Sequence, residues 1–196
     1  SHLYHNDGAG RFVLDSANGA VLSHVGMVSA ALWSDLNQDG WPDLVLTVDY
    51  GPVKVFLNDH GRLTLARSAG LDQYYSSWLG LASGDFDGDG RPDLIVTSWG
   101  RNARLQADTL RPLYLYFGNF SSGATLDLLL AQYDPRLKAM APLASFARLS
   151  RAVPEIAQRL RSFHAYADAT VAQVLGPAAP KALRFGVNTF DHLVWL

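Results

Sequence analysis

Asp35–Asp43 reads DLNQDGWPD and Asp85–Asp93 reads DFDGDGRPD. Both stretches set carboxylate or carboxamide side chains at positions one, three, five and nine, with glycine at position six. Oxygen donors at alternate positions of a tight turn converge on one side, and carboxylates held that close repel one another unless a cation lies between them. The first loop offers Asp35, Asn37, Asp39 and Asp43 with the backbone carbonyl of Trp41; the second offers Asp85, Asp87, Asp89 and Asp93 with that of Arg91. An all-oxygen set with several charged members in a flexible loop favours Ca2+ over Mg2+, which demands a stricter octahedron and keeps its waters. Two Ca2+ sites are therefore expected. An EF-hand begins in the same way but requires a bidentate Glu at position twelve and a helix on either side. Here that position holds Leu46 and Val96, each inside a β-branched run. Ordinary polar turns also favour Asp and Gly, but two copies in one frame with matching flanks speak against that plainer reading.

The elements that must carry these loops repeat as well. Setting Asp35 over Asp85 aligns AALWSDLNQDGWPDLVLTV with GLASGDFDGDGRPDLIVTS, a strand, a loop and a strand in each case. Downstream, VKVFLNDHGRLTLA reads as a hairpin turning at Asn58–Gly61, and the opening LYHNDGAGRFVL has the same form around Asn6–Gly8. Four short strands in about fifty residues make the unit of a propeller blade. A third copy, LYLYFGNFSSGATLDLLLA, places Asn119, Ser121, Gly123 and Asp127 at the loop positions. Its strands persist and its charge does not, so a third Ca2+ site is degenerate.

From Asp134 to Gly176 the apolar residues recur at three and four (Ile156, Leu160, Phe163; Tyr166, Thr170, Val174), with Pro154 suited to a first helical turn. Two or three helices are expected, ended at Gly176–Pro177 before LRFGVNTFDHLVWL returns to strand. The fold class is mainly β: a partial propeller of about three four-stranded blades over residues 1–133, a small helical insertion over 134–182, and a return to propeller strand over 183–196. Closure needs at least four blades, so the remaining blades of the same chain are expected partners. Strand parity puts the acidic loops and the Asn-Asp hairpins on one face. It puts the insertion on the other, beside Tyr74, Tyr75, Trp78, Trp99, Arg101 and Asn102, a candidate ligand face if the two tryptophans do not simply pack between blades.

Whole-chain properties exclude several functions. With 196 residues and 48% hydrophobic content the chain has the makings of an ordinary core, and a net charge of -2 provides no basic field for nucleic acid. The absence of cysteine excludes disulfides, thiol catalysis and thiolate metal sites. No apolar run is long enough for membrane insertion. GDGRPD at Gly88–Asp93 imitates part of a phosphate loop, but Pro92 and a following strand stand where a helix is required. His2, His5, His24, His60, His164 and His192 are isolated in sequence, and no hydrolase motif occurs. The expectation is a protein that is not an enzyme. Asn119-Phe120-Ser121 is formally a glycosylation triplet.

The strand, acidic loop and strand of GDFDGDGRPDLIVTSWG, with the LYHNDGAGRF hairpin, resembles the FG-GAP or VCBS repeat of integrin-α-like β-propellers. It is similar in particular to proteins carrying such repeats ahead of an ASPIC/UnbV region. The resemblance covers residues 1 to 133 and resumes near Leu183. It implies a calcium-stabilised propeller that is secreted, surface-displayed or periplasmic and that binds an extracellular protein or glycan, often in adhesion. A propeller portion of a larger secreted enzyme and a purely structural module are the alternatives.

The graded decay of the motif yields a first prediction. In Ca2+, Asp89→Ala should lower the melting temperature more than Ser121→Ala, since only the former removes a charged donor; thermal melting of both variants checks this.

Overall fold

A computed structural model describes residues 1–67, 70–121, 123 and 126–196. The chain is mainly β, with four antiparallel sheets and a short helical segment, and among the described residues no sheet closes into a barrel. It divides into two compact units, Ser1–Leu105 with Thr189–Leu196, and Gln106–Asn188.

The first unit opens with a hairpin of β1 (Tyr4–Asn6) and β2 (Phe12–Leu14). It continues as a four-stranded meander of β3 (Met27–Ser34), β4 (Asp43–Asp49), β5 (Val53–Asp59) and β6 (Arg62–Ala66). The second blade pairs β7 (Trp78–Gly84) with β8 (Asp93–Ser98). The repeat extends to its irregularities: the register shifts between Val28 and Ala30 in one blade and between Trp78 and Gly80 in the other, the same place in the frame. Each extra residue bulges the first strand of its blade and sharpens its twist.

The DLVLTVD sequence of β4 is buried at every position but the last because both of its faces are covered. Val45 points into a core with Val53, Val55, Leu71, Trp78, Leu94 and Val96, residues of both blades. Leu44 and Leu46 point the other way, joining Phe56, Leu63, Leu22 and Val25 under the turns that follow β2. Trp78 is only 1% exposed, and its indole N–H donates to the Gly51 carbonyl at 2.8 Å. That bond satisfies the single polar atom of the largest side chain between the blades.

The second unit contains β9 (Leu113–Gly118), β10 (Asp127–Asp134), β11 (Ala139–Pro142), α1 (Phe146–Ala152), α2 (Pro154–Leu160), α3 (Phe163–Ala167), α4 (Val171–Leu175) and β12 (Leu183–Val187). Its strand order, β11-β10-β9-β12, is three hairpin-connected strands with a fourth returning beside the first, a Greek key. The helices are too short to persist alone and are held by packing. Leu149, Val153, Ile156, Val171, Val174 and Leu175 cover Leu129 and Ala131 of the sheet. Side-chain caps start three of them, at Ser145, Ser162 and Thr170, the last in a capping box with Gln173. Pro154 occupies the first turn of α2 as its position predicts.

Three features depart from the sequence reading. There are four short α-helices followed by a 3-10 turn over Gly176–Lys181, because the left-handed Arg161 ends α2 and Thr170 restarts the chain as a cap. Residues 139–142, expected within the helical segment, form β11. Asp134 there accepts backbone N–H groups from Arg136 and Leu137, and Lys138 takes a left-handed φ of 50°, which closes a hairpin without glycine or asparagine. Finally, β13 (Leu193–Trp195) pairs with β8, giving the order β13-β8-β7. The end of the segment read as a return to propeller strand is thus the third strand of the second blade, and the whole of residues 106–188 is inserted between β8 and β13.

The shared core identifies the residue on which the two blades most depend. Trp78→Ala should cost about 3–5 kcal/mol, measured by urea unfolding, and Trp78→Phe should recover only part of it, because the Gly51 carbonyl loses one of its two donors and keeps only the Ser76 N–H.

Candidate functional site

Each acidic loop is shaped by its own first carboxylate. Asp35 accepts the N–H groups of Asp39 at 3.0 Å and Gly40 at 2.9 Å; Asp85 accepts those of Gly88 at 2.7 Å and Gly90 at 3.0 Å. The fifth position works in the same way: Asp39 accepts from Trp41 and Asp89 from Arg91, both at 2.8 Å. These bonds wrap the backbone around the side chains and require left-handed residues at positions four and six, namely Gln38 (φ 58°) and Gly40 in one loop and Gly88 and Gly90 in the other.

The two loops differ in what they bring together. Asp85, Asp87 and Asp89, all exposed, each place one carboxylate oxygen within 4.8 Å of the others. They are the one such group of three among the described residues. In the first loop position three is Asn37, and its amide donates to Asp39 at 2.9 Å, so the amide and the carboxylate satisfy one another. Hard, exposed, charged oxygens at this spacing suit a hard divalent cation, and the second loop is the better fitted of the two. The sites adjoin: the Gln38 side-chain amide donates to the Gly90 carbonyl at 2.8 Å.

Position nine does something further. Asp43, fully buried, accepts the Leu36 N–H at 3.0 Å with one oxygen and the Asn58 N–H at 2.9 Å with the other. Asp93, 4% exposed, accepts from Phe86 at 2.7 Å. In the charge-poor third loop Asp127 accepts from Phe120 at 2.8 Å and Ser121 at 2.9 Å. Thus all three position-nine carboxylates take the N–H seven residues upstream. A carboxylate oxygen with one such bond keeps a second acceptor direction, so Asp43 and Asp93 stay compatible with a cation shell. Ser122, Ala124 and Thr125 of the third loop lie outside the described residues.

The β5–β6 turn shares the face of the first loop, as strand parity predicts. The Asn58 amide donates to Pro42, and the rings of Trp41 and His60 lie 4.9 Å apart. At the opposite strand ends the proposed aromatic set is divided. Trp78 is core. Tyr74 is partly buried, edge-on to Trp195, whereas Tyr75 and Asn102 are exposed. Trp99 stacks on Phe190 at 5.7 Å, and Arg101 grips Asp191 with two guanidinium nitrogens, holding that carboxyl below the usual carboxylate range.

Ser98 and His192 extend this contact. The Ser98 hydroxyl donates to the Phe190 carbonyl at 2.6 Å, and its N–H donates to His192 Nδ1 at 3.1 Å. Trp99 and Arg101 therefore belong to a clasp that closes the chain where residues 106–188 depart and return. The sequence offers no signal for it without knowing that β13 pairs with β8.

Residues 35–96, from the first acidic loop into β8, match the sequence profile of the FG-GAP-like repeat family. No curated protein and no solved structure matches the chain. The matched span holds both acidic loops and strands β4, β5, β6 and β7.

Position nine and position five should separate in the metal-free protein. Asp43→Ala strands two backbone N–H groups and should cost about 2–4 kcal/mol, whereas Asp39→Ala at an exposed site should cost less. Urea unfolding in chelator compares them, and equal losses would contradict the different roles assigned here.

Proposed function

We propose that this chain is a calcium-binding propeller repeat module, without chemistry of its own, that serves as a scaffold for binding an extracellular protein or glycan. The observation that carries the reading is the closure of Asp85, Asp87 and Asp89 to within 4.8 Å at an exposed turn. It lies in a span that matches the FG-GAP-like repeat family. Asp85, Asp87, Asp89 and Asp93 would hold Ca2+ in the second loop, and Asp35, Asn37, Asp39 and Asp43 in the first, with the carbonyls of Arg91 and Trp41 completing each set. The ion would neutralise crowded carboxylates and stiffen the loop that joins the inner two strands of a blade.

The finer placement, among integrin-α-like propellers and those associated with ASPIC/UnbV regions, rests on the strand, loop, strand frame and the Asn-Asp hairpins. A secreted, surface or periplasmic location follows from the same reading, since extracellular Ca2+ modules bind with dissociation constants of roughly 0.1–1 mM and fill only where calcium is abundant. An exposed acidic loop with one fully carboxylate triad fits such weak, labile binding.

Excess EDTA should lower the melting temperature, Ca2+ should restore it, and Mg2+ at equal concentration should restore it less. An unchanged melting curve in EDTA would overturn the calcium reading. Asp87→Asn, which gives the second loop the composition of the first at position three, should weaken Ca2+ binding in calorimetry without unfolding the protein.

A further inference from the structure

A concavity of about 240 Å³ opens beside the first blade, lined by residues from four segments of the first unit. Strand β1 contributes Tyr4 and His5, the turn after β2 contributes Asp15 and Asn18, the end of β3 contributes Trp33, and the β5–β6 turn contributes Asn58. None of these residues belongs to the acidic loops or to the aromatic set singled out from the sequence.

The floor is built and rigid. Asn18, 2% exposed, donates its amide to Asp15 at 2.7 Å and to the Gly61 carbonyl at 2.9 Å, and accepts the Leu63 N–H at 2.8 Å. Asn58 is likewise satisfied, by Pro42 and Gly61. Asn18 has both amide hydrogens committed, and its work is to fix Asp15. That carboxylate takes the side-chain and backbone N–H groups of Asn18 and feels His5, which together hold it below the usual carboxylate range. It is therefore an ionised acceptor in a set orientation, with further acceptor directions open.

The rim is aromatic. Tyr4 is 52% exposed and Trp33 45% exposed. A lone exposed aromatic is unremarkable on any protein surface, but two of them flanking a hollow with an oriented carboxylate make a pairing of apolar platform and directional acceptor. The ligand that needs both is a ring with weakly polar C–H faces and hydroxyl donors at its edge. Because Asp15 already accepts two N–H groups, it suits a hydroxyl donor better than a bare cation. The volume lies below the roughly 300–1,000 Å³ of pockets for drug-sized ligands, and matches a single ring.

We infer that this hollow is a subsite for one neutral pyranose, with Tyr4 and Trp33 as stacking platforms and Asp15 as acceptor of a ring hydroxyl. The inference rests on the reading of the chain as a binding module and names, within that reading, a glycan and its position. It places the ligand on the side of the β5–β6 turn, away from Tyr75 and the clasp at Trp99.

The test is NMR titration of the full chain in Ca2+ with the methyl glycosides of glucose, galactose and mannose, and with tetramethylammonium as a cationic probe. A pyranose of about a dozen heavy atoms at ordinary ligand efficiency gives a Kd of about 1 mM. At least one glycoside should shift the amides of Tyr4, His5 and Asp15 and the Trp33 indole. Trp33→Ala and Tyr4→Ala, both at exposed positions, should each weaken that binding about threefold to tenfold. Asp15→Asn should weaken it as well.

Absence of shifts at about 20 mM glycoside, binding unchanged in both aromatic variants, or stronger shifts with tetramethylammonium would overturn the site. Repeating the titration beside the EDTA melting separates the two readings: a calcium response without glycoside shifts removes the sugar subsite alone. Glycoside shifts without a calcium response remove the calcium reading alone.

Discussion

A position-nine carboxylate that accepts the amide seven residues upstream underlies three hairpins of the chain, buried in the first two and partly buried in the third. Asp43, Asp93 and Asp127 each stand at the first residue of a second strand and reach back to Leu36, Phe86 and Phe120. Burying a carboxylate costs several kcal/mol unless its lone pairs are met, so the loop backbone must deliver its N–H groups to one point. Once it does, the register of the two strands and the curl of the loop are set together. At Asp43 the same group also fixes the third strand through Asn58, and with it the Asn-Asp turn beyond. Charge at positions one, three and five can be lost, as in the third loop, while the hairpin survives.

Two layers of chemistry are thereby superposed in one nonapeptide. The inner layer, position nine, belongs to folding; the outer layer, positions one, three and five, shapes the loop from nearer the surface. Asn37 in place of an aspartate shows how the outer layer can be softened without touching the inner one, because its amide simply bonds Asp39. The aromatic residues divide in a similar way. Trp78 is consumed by the core between blades, while Trp33, Trp41 and Trp99 remain at the surface, Trp99 with one face stacked on Phe190.

Much of the architecture was legible in the sequence because it is local. The repeat frame, the acidic loops, the two Asn-Asp hairpins, the role of Pro154 and the mainly β class all follow from patterns within about ten residues. What was not legible is non-local. Nothing in LVWL distinguishes a partner in β8 from one in β10, since both present β-branched or aliphatic edges of similar length. The Greek key return of β12 to β9 is equally silent. The burial of position nine was missed for a different reason: spacing alone reads an aspartate as a ligand and cannot show that backbone N–H groups reach it first. Helix boundaries failed where a left-handed residue such as Arg161 broke an otherwise continuous period.

The placement of residues 106–188 inside the second blade sets an order of events. Strand β8 meets β7 across a short loop, but Leu193 must find Val96 across the entire second unit. Closing a flexible loop costs entropy that grows with the logarithm of its length, and a folded insert with neighbouring ends replaces that long loop by two short tethers. During synthesis the free edge of β8 therefore stays unpaired until the insert has emerged and collapsed, a window in which a foreign strand can take the place of β13. Once β13 has paired, the contacts of Ser98 with Phe190 and His192 hold the returning chain at the end of β8.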